Sequence, residues 1–194
     1  MKRVLVFCGS SPGRLPEYTA RAAELGRLLA DRGLEAVYGG ASVGVMGALA
    51  DATLAAGGQV IGVIPRRLLE REIAHSGLTK LHITETMHER KALMVELADV
   101  AMALPGGTGT LDELFELFTW NQLGLVRKPL GLLDVADYWE PLLGFLRQAV
   151  NERFLSAEHL ETLLVGRDAG ALLDKLIAYE PHAVDKWLNR DGLD

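Results

Sequence analysis

The sequence contains very little cysteine, no long apolar run and no concentration of basic residues. Its 194 residues include a single cysteine, Cys8, which excludes an internal disulfide framework and fits a reducing cytoplasm. The apolar stretches are too short for a signal peptide or a membrane span. With 20 basic and 26 acidic residues, a net charge of -6 argues against nucleic acid as a partner. No spacing of His, Asp or Glu resembles a metal site.

Two common nucleotide-binding signatures are also missing. The chain has no Walker A lysine and no G-x-G-x-x-G fingerprint, which counts against a P-loop NTPase and a dinucleotide dehydrogenase. It also lacks a linker, an internal repeat or a low-complexity segment. We therefore predict a single domain over residues 1–194, in which residues 179–194, with Pro181, His182 and Trp187, form a short C-terminal appendage.

Short apolar segments alternate with helical patterns along the chain. Strands are predicted at residues 4–7, 36–38, 60–64, 81–83, 100–104 and 130–133, and helices at about 16–32, from 43, at 87–98 and from about 110. This alternation predicts an α/β fold, a Rossmann-like doubly wound parallel sheet with helices on both faces. The carboxyl ends of the strands then meet at one edge, where such sheets bind ligands.

Three glycine-rich loops are expected at that edge. Residues 8–13 follow the first strand, residues 39–44 follow the second, and residues 105–109 follow the fifth. One such loop is explained equally well by a tight turn, but three that converge favour an anion site. We expect Gly9, Ser10, Gly40 and Gly44 to contact a ligand. Ser10 lacks the surroundings of a nucleophile, since no G-x-S-x-G elbow is present.

The third loop is the most informative segment of the chain. Its sequence, Pro-Gly-Gly-Thr-Gly-Thr-Leu-Asp-Glu, places Glu113 in the first turn of the following helix, beside the expected phosphate. One explanation is a capping box, in which Glu113 reaches back to the Thr110 N–H. The other is catalysis, with the helix N-terminus keeping the carboxylate ionised at neutral pH.

A second candidate residue lies on the helix predicted at residues 87–98. On a helical wheel Arg90 falls in the middle of an apolar arc that includes Met94, whereas His88 and Lys91 lie off the arc. An arginine in that position either extends outward to water or meets an anion. In the second case it binds a substrate oxygen or a carboxylate.

Taken with its flanking motifs, the sequence resembles the LONELY GUY (LOG) family of cytokinin riboside 5′-monophosphate phosphoribohydrolases. The segment at residues 105–113 matches the family signature P-G-G-x-G-T-x-x-E, and Met-His-Glu-Arg-Lys at residues 87–91 resembles its second motif. The resemblance extends to the loops after the first two strands and to residues 120–124. One departure is Ala41, where members often have a third glycine.

The resemblance implies hydrolysis of the N-glycosidic bond of an N6-modified adenosine 5′-monophosphate, without metal or organic cofactor. Arg90 and Glu113 would be the catalytic pair. Glu113 would stabilise positive charge on the ribose or position water, and Arg90 would orient Glu113 or bind the ribose hydroxyls or the phosphate. Further substrate contacts are expected from Glu72, Lys91, Met94, Gly106, Gly107, Thr108, Gly109, Thr110, Leu111, Asp112 and Thr119.

The same residues bear on two alternative functions and on a second subunit. A non-catalytic carrier of a phosphorylated ligand, like the molybdenum cofactor carriers, needs the glycine loops but not Glu113 and Arg90 together. A lysine decarboxylase is disfavoured because no lysine has a recognisable pyridoxal phosphate context. The helix after the third loop is apolar almost all round, which predicts a homodimer or burial under the segment with Trp139 and Phe145.

Overall fold

The computed structural model describes residues 1–69 and 74–180 of the protein. Within them the strands are β1 (Arg3–Phe7), β2 (Glu35–Tyr38), β3 (Val60–Pro65), β4 (Lys80–Thr84), β5 (Val100–Ala103), β6 (Leu130–Leu133) and β7 (Leu163–Gly166). The helices are α1 (Pro16–Asp31), α2 (Gly44–Ala55), α3 (Arg66–Leu69), α4 (Met87–Leu97), α5 (Thr108–Gln122), α6 (Glu140–Asn151), α7 (Ala157–Glu161) and α8 (Ala169–Ala178).

All seven strands belong to one parallel sheet in the order β4-β3-β2-β1-β5-β6-β7. The chain runs outward from β1 through β2 and β3 to β4, and then returns to place β5 on the other side of β1. Val4 is therefore paired with Ala36 on one side and with Val100 on the other. The predicted doubly wound parallel sheet is confirmed, and its order reverses between β1 and β5, where open α/β sheets bind ligands.

The apolar strands are buried on both faces of the sheet, which is why they are continuous apolar runs. Successive side chains of a strand point to opposite faces. Val4 and Val6 of β1 join the core beneath α1, α2 and α8, whereas Leu5 and Phe7 join the core beneath α4, α5 and α6. Each face thus has its own hydrophobic core, and the loops at the ends of the strands remain available for a site.

The elements after Leu133 were not predicted. The edge strand β7 is a short apolar run, Leu163 to Val165, in which only Leu163 is buried. No helix in the described part of the chain is long and apolar enough to cross a membrane. The predicted appendage falls almost entirely on residues 181–194, outside the described residues.

Helices α1 and α2 pack at very short range through a glycine. A Cβ atom on Gly26 of α1 would lie 2.6 Å from the Leu49 carbonyl oxygen of α2 and 2.8 Å from the Thr53 hydroxyl. Gly144 of α6, in contrast, has only the end of a flexible arginine at 3.9 Å. The two glycines therefore have different structural reasons for being glycine.

We expect Gly26→Ala to lower the free energy of unfolding by about 1–3 kcal/mol, because the methyl group would force α1 and α2 apart. Gly144→Ala should raise it by about 0.5–1 kcal/mol, because alanine favours a helix interior and has room there. Urea denaturation of the two variants and the parent measures both. Equal effects would contradict the close contact between α1 and α2.

Candidate active site

A cleft of about 480 Å³ opens at the carboxyl edge of the sheet, at the switch between β1 and β5. Its walls come from the loops after β1 and β5, the starts of α1, α2, α4 and α5, and the segment between β6 and α6. Of the residues predicted to bind or act on a ligand, the following line it: Gly9, Ser10, Arg90, Gly106, Gly107, Thr108, Gly109, Thr110 and Glu113.

The loops after β1 and β5 are joined directly at the centre of the cleft. The Gly9 N–H donates to the Pro105 carbonyl at 3.2 Å. A Cβ on Gly106 would lie 2.1 Å from the Thr110 hydroxyl and 2.8 Å from the Gly9 nitrogen, so only glycine allows this approach. The glycine loops after β1 and β5 therefore converge as predicted, and they do so through close contact between their backbones.

Helix α5 begins earlier than the capping-box explanation requires. Its first residue is Thr108 and its N-cap is Gly107, without a side-chain cap, so Thr110 is already inside the helix. The capping-box explanation is therefore wrong, and Glu113 lies in the second helical turn. The N–H groups of the first turn have no intrahelical acceptor and lie at the glycine loop, where they can bind an anion.

Arg90 is buried with its guanidinium satisfied on several sides. Its side chain is 6% exposed. Nε donates to the Val63 carbonyl at 3.0 Å, and Nη2 donates to the Gly39 carbonyl at 3.3 Å. A Cβ on Gly39 would lie 2.3 Å from Nη2, so this glycine makes room for the guanidinium. The outward-pointing alternative for Arg90 is therefore wrong.

The anion that Arg90 meets is Glu113. Nη1 of Arg90 lies 3.3 Å from Oε1 of Glu113, whose side chain is only 5% exposed. Burial raises the pKa of Glu113 to about 7, although Arg90 acts in the opposite direction. The expectation that the helix N-terminus keeps Glu113 ionised at neutral pH holds only in part, because a carboxyl with a pKa of about 7 is partly protonated there.

Cys8 lies beneath this pair. Burial, together with the neighbouring Glu113 carboxylate, raises the pKa of the Cys8 thiol well above its ordinary range. The thiolate is the nucleophilic form of cysteine. We therefore assign Cys8 to packing rather than to chemistry.

Lys91 lies off the apolar arc of the helical wheel, yet its side chain is buried in a separate cluster of charged residues. Its Nζ lies 3.0 Å from Asp112 and 3.1 Å from Glu116, both on α5. Burial opposes the charge, but the hydrogen bonds to these two carboxylates outweigh it and raise the pKa of Lys91. Asp112 and Glu116 line a second groove along the outer side of α5, together with Thr108, Leu111, Phe115, Thr119 and Trp120.

Three further predicted contacts, Gly40, Gly44 and Met94, do not line the cleft. Gly40 packs against Ile64 and Leu81, and Gly44 lies against the Ser10 backbone, where an added Cβ would be 2.3 Å from its carbonyl oxygen. Met94 has no exposed surface and belongs to the core beneath α4. Glu72 lies outside the described residues.

Several residues that line the cleft were not predicted from the sequence. Tyr138 and Tyr18 form an aromatic wall, with ring centroids 5.8 Å apart. Val45, Met46, Leu68 and Met87 add apolar surface. Tyr138 follows the predicted strand β6, so the sequence already placed it near the carboxyl edge of the sheet. That position was the one feature from which its place in the cleft could have been predicted. Among the residues that the structure describes, no three His, Cys, Asp or Glu side chains lie together as metal ligands.

A family model described as "Possible lysine decarboxylase" matches residues 46–176. The chain is 46% identical over 180 residues to a cytokinin riboside 5′-monophosphate phosphoribohydrolase of Arabidopsis thaliana, covering 93% of this chain and 83% of the relative. It is 48% identical over 168 residues to the protein of the same name from Rhodococcoides fascians, covering 86% of this chain and 85% of the relative.

Solved structures with the same fold are more distant in sequence. The molybdenum cofactor carrier protein of Chlamydomonas reinhardtii superimposes with a TM-score of 0.70 at 22% identity, covering 92% of this chain and 99% of that chain. The molybdenum cofactor binding protein of Rippkaea orientalis gives a TM-score of 0.68 at 21% identity, covering 92% and 97%. Similarity at this level extends to the fold alone.

The raised pKa of Glu113 makes stability depend on pH. Its ordinary pKa is 4.5 and its pKa in the folded protein is about 7, so the folded state binds this proton more tightly than the unfolded state. The resulting stability is complete below pH 4.5 and is lost as the pH rises through about 7. At about 1.4 kcal/mol per pKa unit, the loss is on the order of 3 kcal/mol.

We therefore expect Glu113→Gln to become more stable, relative to the parent, as the pH is raised from about 5 to about 8. Denaturation curves across this range measure the difference. Glu24→Gln, at an exposed ion pair with Arg21, is the matched control and should follow the parent. Parallel profiles for Glu113→Gln and the parent would contradict the raised pKa.

Proposed function

Since the chain belongs to the LOG family of cytokinin riboside 5′-monophosphate phosphoribohydrolases, we propose that it hydrolyses the N-glycosidic bond of an N6-modified adenosine 5′-monophosphate. The products are the free base and ribose 5-phosphate. The observation that carries the proposal is the buried pair of Arg90 and Glu113, 3.3 Å apart, which lies in the cleft beside a glycine loop and a helix N-terminus.

The glycine loop and the start of α5 form the phosphate site in this proposal. Their backbone N–H groups and the positive end of the helix dipole favour a phosphate dianion. A phosphate held there fixes the ribose at a set distance from Glu113, so that the reacting atoms need no further orientation. The substrate contacts that we propose in the cleft are Gly9, Ser10, Gly106, Gly107, Thr108, Gly109 and Thr110.

Glu113 acts on the positive charge that develops on the ribose. As the C–N bond breaks, its electron pair leaves with the base, and the oxygen of a water molecule bonds to the anomeric carbon. One proton of that water neutralises the departing base, and the ionised Glu113 carboxylate stabilises the oxocarbenium-like transition state. Because its pKa is about 7, base release should become faster as the pH rises through neutrality.

We assign Arg90 to the orientation of Glu113. Two of its nitrogens donate to carbonyls, of Val63 in β3 and of Gly39 just after β2, and the third faces the carboxylate. This fixed fork keeps Glu113 in one position and favours its ionised form.

The two alternative functions, a carrier and a lysine decarboxylase, have less support. The carrier proteins share only the fold at 22% identity, whereas the relatives named as hydrolases are 46% and 48% identical. Lysine decarboxylation is disfavoured because no lysine among the described residues lines the cleft, and the buried Lys91 is paired with Asp112 and Glu116.

We also propose a homodimer in the cytoplasm. The outer side of α5 carries a partly exposed apolar groove with Leu111, Phe115 and Trp120. Of the segment that was the alternative cover, Trp139 is buried in the same core as the inner side of α5, whereas Phe145 is 63% exposed on α6. A second copy packed on the groove would bury these side chains. The free, buried Cys8 agrees with a reducing compartment.

The proposed reaction is tested by Glu113→Gln, which keeps the size of the side chain and removes its charge. We expect a folded protein that still binds AMP and loses on the order of a hundredfold or more in turnover. Arg90→Lys should also lose most activity, because lysine lacks the planar fork. The measurement is release of free base from AMP and from N6-isopentenyl AMP, beside a melting curve.

Adenosine is the control substrate, since it lacks the 5′-phosphate and should be cleaved much less efficiently. The Glu24→Gln protein should retain full turnover. Unimpaired base release by Glu113→Gln would remove the catalytic assignment, and equal efficiency on adenosine and AMP would remove the phosphate site.

The proposed interface is tested by Trp120→Glu. An unpaired charge buried between two copies is costly, so this variant should be monomeric or should aggregate. Phe145→Glu is the matched control, because Phe145 is exposed on α6, away from the groove, and its mass should equal that of the parent. Light scattering gives the masses. A dimer that persists in Trp120→Glu would show that this groove is not the interface.

A further inference from the structure

The segment between β6 and α6 contains an unusual backbone conformation. Ala136 and Asp137 both have left-handed φ angles, 54° and 56°. Neither residue is glycine, and a left-handed conformation is unfavourable for a residue that has a Cβ atom. Such a conformation persists only where the surrounding structure holds it in place, so the contacts of this turn are informative.

The turn is held from several sides. The buried Trp139 donates through its backbone N–H to Asp134 at 3.1 Å and through Nε1 to the Leu133 carbonyl at 3.1 Å. Arg167, at the end of β7, lies 3.5 Å from the buried Asp134 carboxylate and also pairs with Asp137. The strained turn is therefore fixed to both neighbouring strands.

The result of this arrangement is the position of Tyr138. Its ring makes edge contacts with Tyr18, at 5.8 Å between centroids, and with Trp139, at 5.1 Å. Its hydroxyl donates to the Gly106 carbonyl in the glycine loop. Within the described residues, no other donor reaches this carbonyl.

That hydrogen bond acts on the neighbouring N–H group. The C=O of Gly106 and the N–H of Gly107 belong to one planar trans peptide, so they point in opposite directions and turn together. With glycine on both sides, no Cβ restricts the rotation of this peptide, so its orientation depends on the contacts that its own groups make. The Gly107 N–H itself donates to no atom of the described chain.

We propose that Tyr138 is a positioning residue, which locks the Gly106–Gly107 peptide so that the Gly107 N–H faces the substrate phosphate. The inference rests on the phosphate site of the proposed function. It assigns the strained turn, the Arg167 contacts and the tyrosine hydroxyl to one task, the preorganisation of a single backbone donor. Tyr138 acts through Gly107 and takes no part in bond breaking.

The test is Tyr138→Phe, which removes the hydroxyl and keeps the ring. One hydrogen bond to a charged acceptor corresponds to about tenfold in affinity. We therefore expect the Kd values for inorganic phosphate and ribose 5-phosphate to rise about tenfold in calorimetry. The KM for AMP should rise by the same factor, while kcat changes less than about threefold and the melting temperature stays close to that of the parent.

Two further variants separate the hydroxyl from other effects. Tyr138→Leu also removes the ring. Tyr38→Phe removes a comparable bond, from a buried tyrosine hydroxyl to the Ala41 carbonyl at 3.1 Å, outside the cleft. We expect Tyr38→Phe to lower stability while the Kd for phosphate is unchanged.

An unchanged phosphate Kd in Tyr138→Phe would overturn the proposal. If the Kd rises only in Tyr138→Leu, the ring and not the hydroxyl matters. If only the melting temperature of Tyr138→Phe falls, the hydroxyl serves stability alone. If the parent protein binds neither phosphate nor ribose 5-phosphate, the inference is wrong together with the phosphate site. If the parent binds both and releases no base from AMP, the proposed reaction fails while the role of Tyr138 stands.

Discussion

The interaction on which the site depends is the buried ion pair of Arg90 and Glu113. A charge buried alone is destabilising, so each side chain of the pair stabilises the other in its buried position. The other donors of the Arg90 guanidinium also need acceptors. The carbonyls of Val63, in β3, and of Gly39, just after β2, accept these hydrogen bonds. Four segments far apart in sequence must therefore meet at one point, and Gly39 must lack a side chain for them to do so.

The sheet topology explains why they meet there. The chain turns outward in opposite directions from β1 and from β5, which leaves a crevice at the carboxyl ends of these two strands. The loops that border it approach closely, through Gly9 and Gly106, and the N-terminus of α5 opens into the same space. The glycine loop before α5 and the pair of Arg90 and Glu113 are thus neighbours in this crevice.

Two electrostatic influences act on Glu113 in opposite directions. The Arg90 guanidinium favours the carboxylate, whereas removal from water favours the neutral acid. Burial is the larger influence, and the pKa is about 7. A carboxyl with this pKa changes its charge within the physiological pH range, and carboxyls with such shifted pKa values are concentrated at functional sites.

The sequence by itself determined the doubly wound sheet, the loops at its carboxyl edge and the two residues of the pair, because apolar periodicity, glycine-rich turns and an arginine on an apolar arc are local patterns. The tertiary structure decided that Arg90 meets Glu113, that α5 begins before Thr110, that Lys91 is buried and that Tyr138 lies in the cleft. Burial, ion pairing and pKa depend on contacts between residues distant in the chain, which no local pattern contains.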